Sequence, residues 1–154
     1  MEITDLITPQ SVIAQLRAGN KKQALQELAR RSAVVTGVNE RTIFDVLSER
    51  ERLGTTGIGM GIGIPHGRLP GLTKLYGLFA RLDRPIPFEA IDEQPVDLLF
   101  LLLAPETAGA DHLKALALVS RLLRDATVCQ KLRGTDSADA LYALLTDRSE
   151  SNAA

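Results

Sequence analysis

The chain predicts an α/β sandwich, a central sheet covered by helices on both faces, and three observations carry that expectation. The run Leu98–Ala104 is apolar without alternation, the mark of a central strand buried on both sides. Segments with helical period lie before and after a strand-rich middle, the order of elements such a sandwich needs. A length of 154 residues, 45% of them hydrophobic, suits one core that needs neither metal nor disulfide to hold it. We therefore expect a single domain over residues 1–148 and a frayed, flexible tail over 149–154.

Taken in order, Ser11–Leu16 sets Val12, Ala14 and Leu16 at alternate positions and reads as a short edge strand or extended lead-in. Asn20 is placed to cap a helix through Ala33, in which Leu25, Leu28, Ala29, Ser32 and Ala33 share one face. Asn39 starts a second helix, with Ile43, Val46 and Leu47 inward, Arg50 in its last turn and Gly54 as the stop. Ile58, Ile62 and Ile64, spaced by glycines, read as one strand, followed by strands over Leu75–Leu82 and Val96–Leu103. Pro85, Pro87 and Pro95 fall in the connections, since proline cannot donate to a central ladder. After Pro105 the helical period returns. Asp111 is the expected cap of a helix carrying Leu113, Leu116, Ala117, Ser120 and Leu123, and Asp125 and Asp136 begin two shorter helices ending near Leu145. The order of strands is not readable from the pattern.

Composition narrows the function. A formal charge of -1, from 18 basic and 19 acidic residues, offers no positive field for nucleic acid or an anionic membrane surface. The N-terminal MEITDLITPQ lacks a basic stretch followed by an apolar run, and Leu98–Ala104 is too short to span a bilayer, so neither secretion nor membrane insertion is expected. Cys129 is the single cysteine; it excludes an intrachain disulfide, and with two histidines it makes a poor zinc set, so a reducing cytoplasm fits. Cys129 reads as a small core residue, and Asp92 with Glu93 as a solvated loop rather than an acid/base pair.

The most unusual stretch is GTTGIGMGIGIPHGR, residues 54–68, where Gly57, Gly59, Gly61 and Gly63 alternate with apolar residues. Period two means strand, and the spacings of a Walker loop and of a dinucleotide fingerprint are both absent. The glycines read as a face stripped to hydrogen so that a helix or another protein backbone can approach closely. Pro65 and Gly67 then flank His66 with a rigid residue and a permissive one, presenting an imidazole at a strand end with room for a sharp exit. A neutral imidazole holds a lone pair on one nitrogen, a hydrogen bond to the other aims the ring, and attack on phosphorus is then open to it. A satisfied turn histidine is the commoner outcome of such spacing, and the local motif does not decide between them.

Three segments, in order, resemble a known family. RERLGTTGIGMGIGIPHGR, FEAIDEQPVDLLFLLLAP and DHLKALALVSRLL are similar to the phosphorylation-site signature, the downstream strand region and the second-histidine helix of one class of enzyme IIA domains. These are the domains of the fructose and mannitol class of the phosphoenolpyruvate-dependent phosphotransferase system, and within it the nitrogen-regulatory branch looks nearest. The resemblance implies a mixed central β-sheet flanked by helices on both faces, the type 2 IIA sandwich. It implies a phosphotransferase component with a transient phosphohistidine at Nε2 of His66, no cofactor and no metal. His112 is implied to orient the group or stabilise its charge, and Arg50 to hold its oxygens. By residue type alone His112 is a helix-start residue bonding nearby backbone, and Arg50 one more charge in an ERER run. Thr55 and Thr56 either donate to the phosphoryl group or close the helix-to-strand turn; Gly67 belongs to the same loop; Arg68 either steers a partner or is an ordinary surface cation. Met60 stands where the family usually has asparagine and Gly63 where it has alanine; neither removes a reacting group, and both bear on the donor-docking surface.

The implied function is that of a cytoplasmic phosphocarrier of the nitrogen-related phosphotransferase system. Its donor would be a histidine phosphocarrier protein of the HPr or NPr kind. Its phosphorylation state would regulate target proteins such as potassium-transport or nitrogen and carbon signalling proteins. Two alternatives stay open: a sugar-transport enzyme IIA passing phosphate to a permease IIB domain, and a binding module with an unreactive His66.

Overall fold

The computed structural model describes residues 1–147, and the expected tail over 149–154 lies outside the described residues. Two single 3₁₀ turns, Ile3–Asp5 and Pro9–Ser11, lead into β1 (Val12–Leu16), α1 (Lys21–Thr36) and α2 (Glu40–Leu53). Then come β2 (Gly57–Gly59), β3 (Ile62–Gly63), β4 (His66–Leu69), β5 (Tyr76–Ile86) and β6 (Val96–Pro105). Three helices close the fold: α3 (Ala110–Arg124), α4 (Ala126–Arg133) and α5 (Ala138–Leu145). The sheet order is β1-β5-β6-β3-β2, with β4 also on β6. It is mixed: β1 runs parallel to β5, β3 and β4 parallel to β6, and the pairs β5/β6 and β2/β3 are antiparallel.

β6 divides the core. Leu99, Leu101 and Leu103 pack with Leu25 and Leu28 of α1 and Ile43 and Leu47 of α2. Leu98, Phe100 and Leu102 face Ala115, Val119 and Leu123 of α3 together with Val128 and Leu132 of α4 and Leu141 of α5. Each of these β6 side chains is 0% exposed. A strand with period-two side chains and a helical layer on each side must be apolar throughout, which is why the run Leu98–Ala104 does not alternate.

The expected caps of the first helices are in place: Asn20 accepts from the Gln23 amide and Asn39 from the Thr42 amide. α1 continues past Ala33 to Thr36, because nothing stops it before Gly37, which takes φ 75° at the C-cap. Other expectations are corrected. The stretch Ile58–Ile64 is not one strand but a hairpin, turned at Met60 (φ 59°) and Gly61 (φ 81°). β3 and β4 follow each other along β6 and are interrupted only at Ile64–Pro65, so alternation survives the break and hides it. Gly67 makes no sharp exit, since β4 continues to Leu69.

Pro85 lies inside β5 rather than in a connection; the register with β6 slips between Arg81 and Ile86, and Asp83, Arg84 and Pro85 are exposed there. Gly109, not Asp111, precedes α3, and Asp111 sits in its first turn. The buried stripe of α3 is His112, Ala115, Val119 and Leu123, while Leu113 is 68% exposed. Reading apolar residues alone rotates the helix, because the polar His112 holds a core-facing place in it. Ser137 rather than Asp136 caps α5, accepting from the Ala140 amide. No helix among the described residues is long and apolar enough to cross a membrane.

Candidate functional site

His66 opens β4 opposite Leu102 of β6, and Arg68 lies opposite Ala104. Period two puts His66 and Arg68 on the sheet face that α3 covers and Gly67 on the face that α2 covers. Glycine is required at 67 for space: a Cβ there would meet Val46 Cγ1 at 2.4 Å. α2 thus docks directly on the β4 backbone through Val46, and one turn later on the same helix face Arg50 comes over the imidazole. The glycines of the hairpin serve a related end, since a Cβ on Gly57 would lie 2.9 Å from Ala90 Cα. The close approach is made within this chain, by Phe88 and Ala90 at Gly57, Leu99 and Phe88 at Gly63, Asp92 at Gly59, and Arg133 with Asp97 at Gly61.

The imidazole of His66 is held at both nitrogens. Nδ1 lies 2.8 Å from the Ile64 carbonyl, and Arg50 Nε donates to Nε2 across 3.3 Å. A carbonyl can only accept and a guanidinium only donate, so the proton is assigned to Nδ1 and the lone pair to Nε2. Arg50 is anchored in turn by Nη1, which donates to the Gly54 carbonyl at 2.8 Å. His112 lies edge-on to His66 with 5.7 Å between ring centroids. Arg68 Nε donates to His112 Nδ1 at 3.1 Å, which assigns the second ring's proton to Nε2. His112 is 7% exposed and that Nε2 has no hydrogen-bond partner among the described residues. A buried, unpartnered N–H beside the other imidazole can donate to an anion placed between them.

Both rings are held below the ordinary imidazole range. For His66 the cause is burial first and the Arg50 charge after it, opposed by the Ile64 carbonyl and by Glu51. For His112 it is burial, then the charges of His66 and Arg68. Two neutral imidazoles and two guanidiniums form a site that is positive only through its arginines. It can accept a nucleophilic displacement on phosphorus and hold the oxygens. Among the described residues no group of three His, Cys, Asp or Glu side chains converges as metal ligands.

His66, His112, Arg50, Gly67 and Arg68 therefore come together. The threonine hydroxyls are engaged within the chain: Thr55 Oγ1 donates to the Phe88 carbonyl at 3.3 Å and accepts from the Gly57 amide, and Thr56 Oγ1 bonds Glu51. Sequence reasoning missed Glu51, whose side chain is 6% exposed and meets Lys21 Nζ at 2.6 Å. It is one of four alternating charges and nothing in the run marks it as the buried one. Cys129 lies in the core with Sγ toward the Leu123 carbonyl, and Asp92 accepts the Met60 and Gln94 amides at the hairpin tip.

Comparison with known proteins adds a second line. The family described as "Phosphoenolpyruvate-dependent sugar phosphotransferase system, EIIA 2" matches residues 5–148. A nitrogen regulatory protein of Bradyrhizobium diazoefficiens is 61% identical over 145 residues, spanning 94% of this chain and 95% of the relative. A fructose-specific EIIA component of Haloferax volcanii is 37% identical over 151 residues, spanning 96% and 98%. The crystal structure of the nitrogen regulatory protein IIA-Ntr from Neisseria meningitidis superposes with a TM-score of 0.88 at 32% identity, covering 94% of this chain and 99% of that one.

Proposed function

Because the chain belongs to the EIIA 2 family of the phosphoenolpyruvate-dependent sugar phosphotransferase system, we propose that it is a regulatory phosphocarrier whose His66 Nε2 accepts a phosphoryl group from a histidine phosphocarrier protein. The observation that carries this reading is the tautomer. With Nδ1–H on the Ile64 carbonyl, the Nε2 lone pair faces the Arg50 guanidinium and the edge of His112.

In the step, the bond from phosphorus to the donor's nitrogen breaks as the bond to His66 Nε2 forms. The donor imidazole leaves with the electron pair of the broken bond. The proton stays on Nδ1 throughout, donated to the Ile64 carbonyl. Arg50 Nε must first give up the lone pair it occupies at rest; pivoting on its Gly54 anchor, the guanidinium then donates to phosphoryl oxygens. His112 Nε2–H, unpartnered at rest, donates to another oxygen, and Arg68 keeps that proton there by occupying Nδ1. Positioning and charge stabilisation supply the catalysis, and the residues present need no metal or cofactor for it. Thr55 and Thr56 hold the turn between α2 and the hairpin through their side chains. The product carries about two added negative charges at His66, which changes which partners the surface attracts or repels. Regulated targets of the kind expected from the sequence, in potassium transport or in nitrogen and carbon signalling, would read that change in the cytoplasm.

A transport reading has its own support in the fructose-specific relative at 37% identity. One reconstitution separates the two. Incubation with phosphoenolpyruvate, enzyme I and the cognate carrier should add one acid-labile phosphoryl group, and His66→Ala should add none. No gain by the wild type would leave an unreactive binding module. Onward transfer to a IIB domain and then to sugar would overturn the regulatory reading.

A further inference from the structure

The side chain next to Arg50 in sequence is, among the described residues, the one buried carboxylate near the site with no part in the chemistry above. Glu51 accepts from the Thr56 amide at 3.1 Å and from the Thr56 hydroxyl, and its other contact is Lys21 Nζ from the start of α1. Lys21 is itself only 16% exposed and lies 4.9 Å over the Phe88 ring, whose carbonyl receives the Thr55 hydroxyl. Three elements, α1, the end of α2 and the approach to β2, thus meet on one carboxylate. A buried ion pair of this kind adds little net stability compared with apolar packing, because desolvation offsets its attraction. What it does impose is geometry, since an uncompensated carboxylate cannot slide away from its donors.

Resting on the phosphocarrier reading, we propose that Glu51 is a positioning residue: by clamping the last turn of α2 to Thr56 and Lys21 it sets Arg50 in register with His66 Nε2. Arg50 is tied to the same turn by its bond to the Gly54 carbonyl, so a shift of that turn moves both its anchor and its Nε. The groups around His66 are then fixed in place: the charges of Arg50 and Glu51 from α2, and the neutral His112 ring from α3, which Arg68 of β4 holds through Nδ1. Glu51 opposes Arg50 at the imidazole, the one favouring the charged ring and the other the neutral one.

The test uses Glu51→Gln, which keeps the shape and an acceptor oxygen but removes the charge, with three readouts. Nitrogen-15 NMR should show the His66 titration displaced from that of the wild type, and the Arg50 Nε–H signal should lose protection from solvent exchange. The rate of phosphoryl acceptance should fall about tenfold to a hundredfold, the scale of a small misplacement of a catalytic group. A variant that melts lower yet keeps the wild-type His66 titration and Arg50 signal would reduce Glu51 to a structural role and overturn the proposal. Should Glu51→Gln fail to fold, Thr56→Val removes one donor and leaves the carboxylate. It should weaken the Arg50 signal and slow transfer, and an unchanged signal and rate would likewise overturn the proposal. If the wild type accepts no phosphoryl group at all, the phosphocarrier reading falls, while the two NMR readouts still decide whether Glu51 positions Arg50.

Discussion

Around the middle of β6 the chain is held by apolar packing on both faces, with Phe79 and Phe100 edge to face at 6.4 Å and Leu101 buried at 0% exposure. Around His66, on a neighbouring strand of the same sheet, order comes from a different source. The strands there are two to four residues long, and the contacts are a carbonyl on a ring nitrogen, two arginines on two histidines, and a glycine that lets a helix touch backbone. Packing energy is spread over many atoms and tolerates small changes, whereas a site made from a few polar contacts depends on each of them. The two regions therefore should respond differently to the same kind of truncation.

His66→Ala should show the largest functional effect, complete loss of acid-labile phosphorylation, with the cooperative unfolding transition kept. Leu101→Ala is its counterpart. It should cost about 2–5 kcal/mol of stability, as core truncations do, while the folded fraction still accepts phosphate. Urea titration together with the phosphorylation assay checks both, and equal loss of activity in the two variants would break the distinction between regions.

Gly67→Ala probes the seam between them. Its new methyl would meet Val46 Cγ1, so α2 must move away from β4, at about 1–3 kcal/mol by analogy with overpacked cores. Arg50 would move with the helix and transfer should slow. Adding Val46→Ala should restore both properties, a coupling a double-mutant cycle measures directly.

How much of this was legible follows the same division. The central strand, the caps at Asn20 and Asn39 and the two-faced sandwich could be read because apolar period and cap chemistry are local signals. The hairpin could not, because Gly57, Gly59, Gly61 and Gly63 go on alternating with Ile58, Met60, Ile62 and Ile64 straight through the turn at Met60 and Gly61. Nor could the face of α3, where a buried histidine occupies a place the pattern assigns to leucine. His66, Arg50 and His112 were marked by family resemblance and not by spacing, since three side chains from three elements leave no periodic trace. Glu51 and the Arg68–His112 bond carried no signal at all.

Acid should affect the site more than the core. Both histidines are held below the ordinary imidazole range, mainly by burial, so as pH falls the unfolded chain takes up protons that the folded chain refuses. Their contribution to stability is complete above pH about 6.5, the unfolded value, and is lost as pH falls below it toward the folded values. Denaturation midpoints measured across that range should drop on the acid side, and His66→Ala together with His112→Gln should flatten the slope.

The smallest expected effect is at the hairpin tip. Met60 holds φ 59° and is 68% exposed, a backbone state that costs an ordinary L-residue about 1 kcal/mol. Met60→Asn should raise the melting temperature slightly and leave the intrinsic chemistry at His66 unchanged, with any effect on transfer confined to docking of the donor.

The central claim concerns a single atom, Nε2 of His66. Long-range proton–nitrogen NMR on the nitrogen-15-labelled protein reads it before and after phosphorylation by the reconstituted donor chain. The account predicts a neutral His66 ring protonated at Nδ1 at rest and phosphorus bonded to Nε2 afterwards, with His112 unmodified. Phosphorus on Nδ1, or on His112, would contradict it.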